Sequence, residues 1–150
     1  MGTLDEKDLA IISILQRDAR TPASTIAERL GIPENTVRFR IKRLVERRVI
    51  RGFVAIVDPR QIGLKVSAAF MLKLEPEHRD DAINELKSWK EILNIYQFTG
   101  EYDLIAVAFT RDLNELQALV DRVKRVKGVR DANILVTTRV IKSQPTYSLD

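Results

Sequence analysis

Residues 21–44 decide how the rest of the chain reads: Thr21-Pro22-Ala23-Ser24-Thr25-Ile26-Ala27-Glu28-Arg29-Leu30-Gly31-Ile32-Pro33-Glu34-Asn35-Thr36-Val37-Arg38-Phe39-Arg40-Ile41-Lys42-Arg43-Leu44. The pattern predicts two short helices joined by a tight turn. Thr21 reads as an N-cap with Pro22 at the first helical position, where a missing N–H costs nothing. Gly31 supplies the positive φ that lets the chain leave the first helix. Pro33 and Glu34 begin the second at once. Val37, Ile41 and Leu44 recur at helical spacing and predict an inward stripe. Asn35, Thr36, Arg38, Phe39, Lys42 and Arg43 fall on the opposite face. A helix pair whose second member is polar and cationic is the layout that places a recognition helix in a DNA major groove.

Outward from this stretch, Leu4 to Arg20 predicts a helix packed behind the pair. Asp5, Glu6 and Asp8 suit the positive end of its dipole, and Ile11, Ile12, Leu15 and Ala19 make its core stripe. On the other side, Val49 to Val57 is rich in β-branched residues and broken by Gly52, which predicts a hairpin or wing with Arg51 at its tip. Asp58-Pro59 ends it, and Arg60 to Lys65 forms a linker around Gly63. The expected domains are 1–58, a linker 59–65, and 66–150. Net charge is +4, and it is focused: Arg38 to Arg51 holds seven cations against Glu46 alone. A solvated helix face is the plain reading of such a run; the turn signals and the polar face favour phosphate contact.

The second domain alternates in type. Val66, Ala68, Phe70, Leu72 and Leu74 face one way and Ser67, Lys73 and Glu75 the other, as in a half-buried strand. Pro76 opens a helix through about Trp89. Ile92 to Thr99 is a strand, Gly100-Glu101-Tyr102-Asp103 a tight connection, and Leu104 to Phe109 an apolar central strand. Asp112 caps a second helix carrying Leu116, Leu119, Val120 and Val123, which Gly128 ends. Val129 to about Thr138 is the last strand, with extended chain to Ile141. The order is β-α-β-β-α-β, so the fold class is α+β: a winged helix-turn-helix followed by a ferredoxin-like domain. Both helices cover one sheet face, and the other lacks a lid within the chain, which points to a partner subunit.

The composition, 45% hydrophobic and 31% charged over 150 residues, is that of a globular chain. It has no run of about 18 apolar residues and no secretory pattern, so the expected location is cytoplasmic. There is no cysteine, which removes disulfides, thiolate metal sites and a cysteine nucleophile.

Taken together these residues resemble the leucine-responsive regulator (Lrp/AsnC, feast/famine) family of bacteria and archaea. The likeness covers Leu4-Asp5 and Asp8 with Ile11-Ile12 and Ile14-Leu15; Thr25-Ile26-Ala27 and Leu30-Gly31-Ile32; Val37, Arg40-Ile41 and Arg43-Leu44; Val49-Ile50 and Gly52-Phe53; and Asp58-Pro59 to Gly63. Its most specific element is Phe98-Thr99-Gly100-Glu101-Tyr102-Asp103-Leu104, similar to the family's Gly-x-x-Asp loop. The resemblance implies a transcriptional regulator whose N-terminal domain binds DNA. It implies a C-terminal domain that dimerises and senses a small molecule, usually an amino acid. Homodimers through the sheets, often assembled into octamers, are expected, with the effector between dimers.

The expected DNA-facing residues are Ser24, Asn35, Thr36, Arg38, Phe39, Lys42, Arg43 and Arg51, with cations for phosphate and short polar or forked donors for base edges. Asn35 has a second reading as part of a cap. Phe39 touches a thymine methyl or folds onto the wing. Arg40 pairs with Asp8 or reaches a phosphate, with the structural role preferred. The expected effector residues are Phe98, Thr99, Gly100, Glu101, Tyr102, Asp103 and Leu104, with Asn133, Ile134 and Leu135 as second wall and Asp121 and Arg122 for the effector's side chain. Gly100 admits close backbone approach, the loop N–H groups suit a carboxylate, and Asp103 suits an ammonium. The plain alternative is a hairpin with favourable turn residues. No cofactor or metal is expected. Sirohaem decarboxylases share this architecture, but His78 is the chain's one histidine and falls at a helix start expected to be solvated, so catalysis is disfavoured. An architectural DNA-compacting protein with little sequence preference is the remaining class.

Overall fold

The computed structural model describes residues 3–149. It divides into two compact units: the chain up to Ile56 together with the segment from Lys142 onward, and Val57–Ile141.

The first unit holds α1 (Glu6–Arg17), α2 (Ala23–Leu30) and α3 (Glu34–Glu46). Asp5 and Asp8 form a capping box at the start of α1. The Asp5 carboxylate accepts from the Asp8 N–H at 2.8 Å, and the Asp8 carboxylate accepts from the Asp5 N–H at 3.4 Å. Because α1 ends at Arg17, Ala19 is exposed rather than part of the stripe. The start of α2 also differs from expectation. Pro22 is its N-cap, and the Thr21 hydroxyl donates instead to the Asp18 carbonyl at 2.7 Å, closing the turn after α1. Gly31 ends α2 at φ 61°, as its sequence position requires. Ile11, Ile26, Val37 and Leu44 meet in a core that excludes water, with Ile12, Ile41 and Ile50 half-buried at its edge.

The expected wing is not a hairpin. Ile50 docks on the helices, but 51–57 is exposed and without regular structure or a ladder partner among the described residues. Gly52 does not take the positive φ that a two-residue hairpin turn demands, so the chain does not fold back. The C-terminal segment, expected to belong with the second domain, returns to α1. The Gln16 side chain donates to the Tyr147 carbonyl at 3.1 Å and accepts from the Tyr147 N–H at 2.8 Å.

In the second unit, β1 (Val66–Leu74), α4 (Arg79–Lys87), β2 (Ile92–Gln97), β3 (Leu104–Thr110), α5 (Leu113–Arg125) and β4 (Val129–Val136) follow in β-α-β-β-α-β order. The strands pair antiparallel in the order β2-β3-β1-β4. Pro76–His78 is a 3₁₀ turn before α4, so the helix begins later than expected. Ala68, Phe70, Leu72 and Leu74 of β1 and Leu104, Ala106 and Ala108 of β3 alternate onto one face. Ala82, Leu86, Leu116, Leu119 and Val123 cover them from the two helices. Asp112 caps α5 by accepting from the Glu115 N–H at 2.9 Å. His78 lies half-buried against Gly128 rather than on a solvated face, with its Cβ 2.7 Å from where a Cβ on that glycine would stand. The second sheet face, carrying Ala69, Met71, Lys73, Ile105, Val107, Phe109, Tyr96, Asn133 and Leu135, has no helix over it in this unit.

Candidate nucleic-acid interface and ligand loop

α3 is held in place from below and bare above. On its underside, Arg40 and Arg43 reach down to α1. The Arg40 Nη1 lies 2.7 and 2.9 Å from the two Asp5 carboxylate oxygens and 2.8 Å from Asp8 Oδ1, and Arg43 Nη2 lies 2.7 Å from Asp8 Oδ2. Asp8 is fully buried. Removing one partner of such a buried pair costs about 3–5 kcal/mol, so the cluster fixes α3 on α1. Arg40 therefore takes the structural of its two readings, and one terminal nitrogen of Arg43 is engaged in the same way. The Asp8 N–H and the Arg40 guanidinium hold the Asp5 carboxyl below its ordinary value, and the Asp5 and Asp8 carboxylates raise the Arg40 guanidinium.

On the upper face, Asn35, Arg38, Phe39 and Lys42 are exposed and Thr36 is half-buried; Ser24 on α2 and Arg51 after α3 are exposed too. Phe39 has 64% of its surface in water and no wing to fold onto. Arg38 pairs with Glu34 (2.9 Å from Nε) and Lys42 with Glu46 (3.8 Å), both one helical turn apart. Exposed pairs of this kind are worth about 0.3–0.5 kcal/mol, so a phosphate exchanges for them readily. Sequence reasoning left out Arg48. It is exposed and sits at φ 57°, the left-handed position usually given to glycine at a helix end. The signal was the cation pair Arg47-Arg48 at the end of the helical pattern.

The Gly100 loop, between β2 and β3, lies at one end of the bare sheet face. Asp103 braces it: Oδ2 accepts from the Leu74 N–H at 2.7 Å and Oδ1 meets Arg79 at 3.2 Å. Its own N–H donates to Leu72. Gly100 stands at φ 124°. The N–H groups of Thr99, Gly100, Glu101 and Tyr102 donate to no acceptor among the described residues. Glu101 meets Lys73 at 3.0 Å, which raises the lysine's pKa, and the Lys73 ammonium lies 5.1 Å from the Tyr102 ring centre. Tyr102 reaches Asn133 across the face at 3.5 Å. Lys73 was not foreseen, although the alternation already put it on this face.

Strand alternation splits the expected second wall. Asn133 and Leu135 lie on the bare face, but Ile134 packs into the helix-side core, and so does Leu104. Phe98 and Thr99 are exposed beside the loop. Asp121 and Arg122 lie on α5, on the covered side of the sheet. Arg122 stacks on Trp89 at 4.1 Å and meets Glu91 at 3.0 Å, while Asp121 accepts from Gln117 at 3.0 Å. One chain therefore does not bring them to the loop.

Two family models match: the AsnC-type helix-turn-helix domain over residues 4–45 and the Lrp/AsnC ligand binding domain over 67–147. The chain belongs to the Lrp/AsnC family. It is 36% identical over 140 residues to the HTH-type transcriptional regulator Ptr1 of Methanocaldococcus jannaschii, covering 93% of this chain and 95% of that one. It is 33% identical over 141 residues to the HTH-type transcriptional regulator FL11 of Pyrococcus furiosus, covering 94% and 93%. Among solved structures it is similar to a transcriptional regulator of Neisseria meningitidis in complex with L-Met. There the TM-score is 0.91 and identity 26%, over 99% of this chain and 98% of that one. This Lrp/AsnC protein is thus a transcriptional regulator with a ligand-binding domain, and not an enzyme. Among the described residues no helix is long and apolar enough to cross a membrane, and no acidic, histidine or cysteine cluster has the makings of a metal site.

Proposed function

We propose that this protein reads operator DNA with the exposed face of α3 and adjusts that binding to an amino acid held at the Gly100 loop. The observation that carries the first half is the asymmetry of α3. Arg40 and Arg43 are tied down to α1, which leaves Asn35, Arg38, Phe39 and Lys42 displayed together, with Ser24, Arg48 and Arg51 at the margin for phosphate. Support for the second half is chemical. Consecutive unpaired loop N–H groups suit a carboxylate, and Lys73 adds a positive charge beside them. Glu101, together with the lone pairs of Asp103 not turned to Leu74 and Arg79, suits an ammonium. Asn133 and Leu135 face the same space. The uncovered sheet face supports a homodimer as the working unit, with larger assemblies bringing Asp121 and Arg122 of one dimer toward the loop of another. The Neisseria relative's complex with L-Met makes an amino acid the first class to try.

Two measurements test this. Arg38→Ala is expected to weaken operator binding about tenfold or more while oligomeric state is unchanged, since a bidentate base contact is worth about 1–3 kcal/mol. Normal operator affinity would remove Arg38 from the interface. A thermal-shift screen of the twenty amino acids is expected to find one that raises the melting temperature of the native protein and not of Gly100→Val. A ligand that shifts both equally would place the site elsewhere.

A further inference from the structure

A second cationic surface lies outside the helix-turn-helix. Arg122 to Arg130 contains five Lys/Arg and no acid. Arg122 is used on Trp89 and Glu91, and Arg125 donates to the Asp121 carbonyl at 3.0 Å. Lys124, Lys127 and Arg130 are exposed, and their side chains make no hydrogen bond or ion pair among the described residues. Cations do favour a helix C-terminus, which accounts for Lys124 and Arg125. It does not account for Lys127 and Arg130, which stand beyond the last turn of α5. Arg130 is the extra residue of a β-bulge: Lys73 pairs with Asp131 and Leu74 with Val129, so no β1 residue opposes it. A bulge interrupts the ladder and re-aims a side chain, here on the edge strand of the sheet. Lys124 and Arg130 line a shallow groove with Val129, Asp131 and Ala132. Asp131, the acid in that lining, lies opposite Lys73 in the register.

We propose that this end of the second unit is a phosphate-binding surface for double-stranded DNA outside the segment read by α3. The inference rests on the DNA-binding reading above. The groove has no aromatic side chain, so it offers no platform for stacking unpaired bases; its lysine and arginine, which make no ion pair with Asp131 beside them, match backbone phosphates. A duplex already gripped by α3 presents its flanks at high effective concentration, so a patch too weak to bind DNA alone contributes once the operator is held. Sequence-independent phosphate contact of this kind extends a site without adding base readout.

The test compares an operator fragment alone with the same operator carrying about two helical turns, roughly 21 bp, on each side. Full-length wild type is set against the triple variant Lys124→Gln, Lys127→Gln, Arg130→Gln. Wild type is expected to bind the long fragment more tightly, with a steeper fall of log K against log salt. The variant is expected to bind the short fragment as wild type does and to lose the extra affinity on the long one, about tenfold or more at low salt. Its slope should fall by up to about 2.7 per protomer. Equal wild-type slopes on the two fragments, or a variant equal to wild type on the long one, would overturn the assignment while leaving the role of α3 intact. A variant with altered sedimentation would show the patch to be a subunit contact and would also overturn it. Failure of wild type to bind either fragment would instead defeat the DNA-binding reading, and this inference with it.

Discussion

Arg48 illustrates a residue kept where its backbone is uncomfortable. At φ 57° an L side chain crowds the following carbonyl, at a cost of about 1–2 kcal/mol, and glycine or asparagine is the usual occupant at such a helix exit. Its N–H still closes the end of α3 on the Val45 carbonyl at 2.9 Å, so the conformation is built in. On the proposed DNA-binding role of α3, the charge of an arginine at this helix exit would serve phosphate contact. Arg48→Gly is expected to raise the urea midpoint, with a net gain of about 0.5–1 kcal/mol after the greater freedom of glycine in the unfolded chain is deducted. It should at the same time weaken operator binding and reduce the salt slope by about 1. A variant that gains stability with undiminished DNA affinity would show the strain to have no such purpose.

Between elements, the decisive link is α1 to α3 through Asp5, Asp8, Arg40 and Arg43. Its response to acid follows from the direction of the shift at Asp5. The Asp8 N–H and the Arg40 guanidinium keep that carboxyl below its ordinary 3.8 in the folded protein. A lowered native pKa gives a contribution that is complete above the unfolded value and is lost as pH falls through the folded one. The urea midpoint is therefore expected to hold from neutrality to about pH 5 and to decline below about pH 4, and Asp5→Asn should flatten that decline. A wild type and variant with parallel profiles would mean that the pair does not report on α1–α3 docking. What was legible in the sequence divides along the same line. Local chemistry was readable: the alternation of β1, the Asp112 cap and the Gly31 exit each depend on residues within a few positions. Contacts between distant residues were less so. Asp103 looked like an open ligand group because nothing near it in sequence announces Leu74 and Arg79. Asn133, Ile134 and Leu135 looked like one wall, although the period of a strand sends the middle one to the core. The β-branched run 49–57 had strand propensity but no ladder partner among the described residues, and propensity alone does not make a sheet.

At the scale of the whole molecule, the sheet is finished on one side only. Met71 stands opposite both Ile105 and Asn133, with Ala69, Val107 and Phe109 beside it, and this apolar surface has no helix over it within its unit. A second copy of the same surface is the simplest lid, because a two-fold contact lets one patch cover itself and each residue count twice. Val107 tests this. It lies on β3, an inner strand, and is half-buried, so a glutamate there keeps its carboxylate in water in a lone subunit. Between two apposed sheets the same carboxylate is buried against its own copy, and the assembly has to absorb the desolvation of two like charges. Val107→Glu is expected to retain the circular dichroism of the native fold and to sediment as a monomer, whereas wild type is expected to sediment as a dimer at the same concentration. Operator affinity should fall with it, because two recognition helices on one frame bind two half-sites far more tightly than either binds alone. A folded Val107→Glu protein that still sediments with wild type would mean that the subunits meet elsewhere and that the bare sheet face serves another purpose.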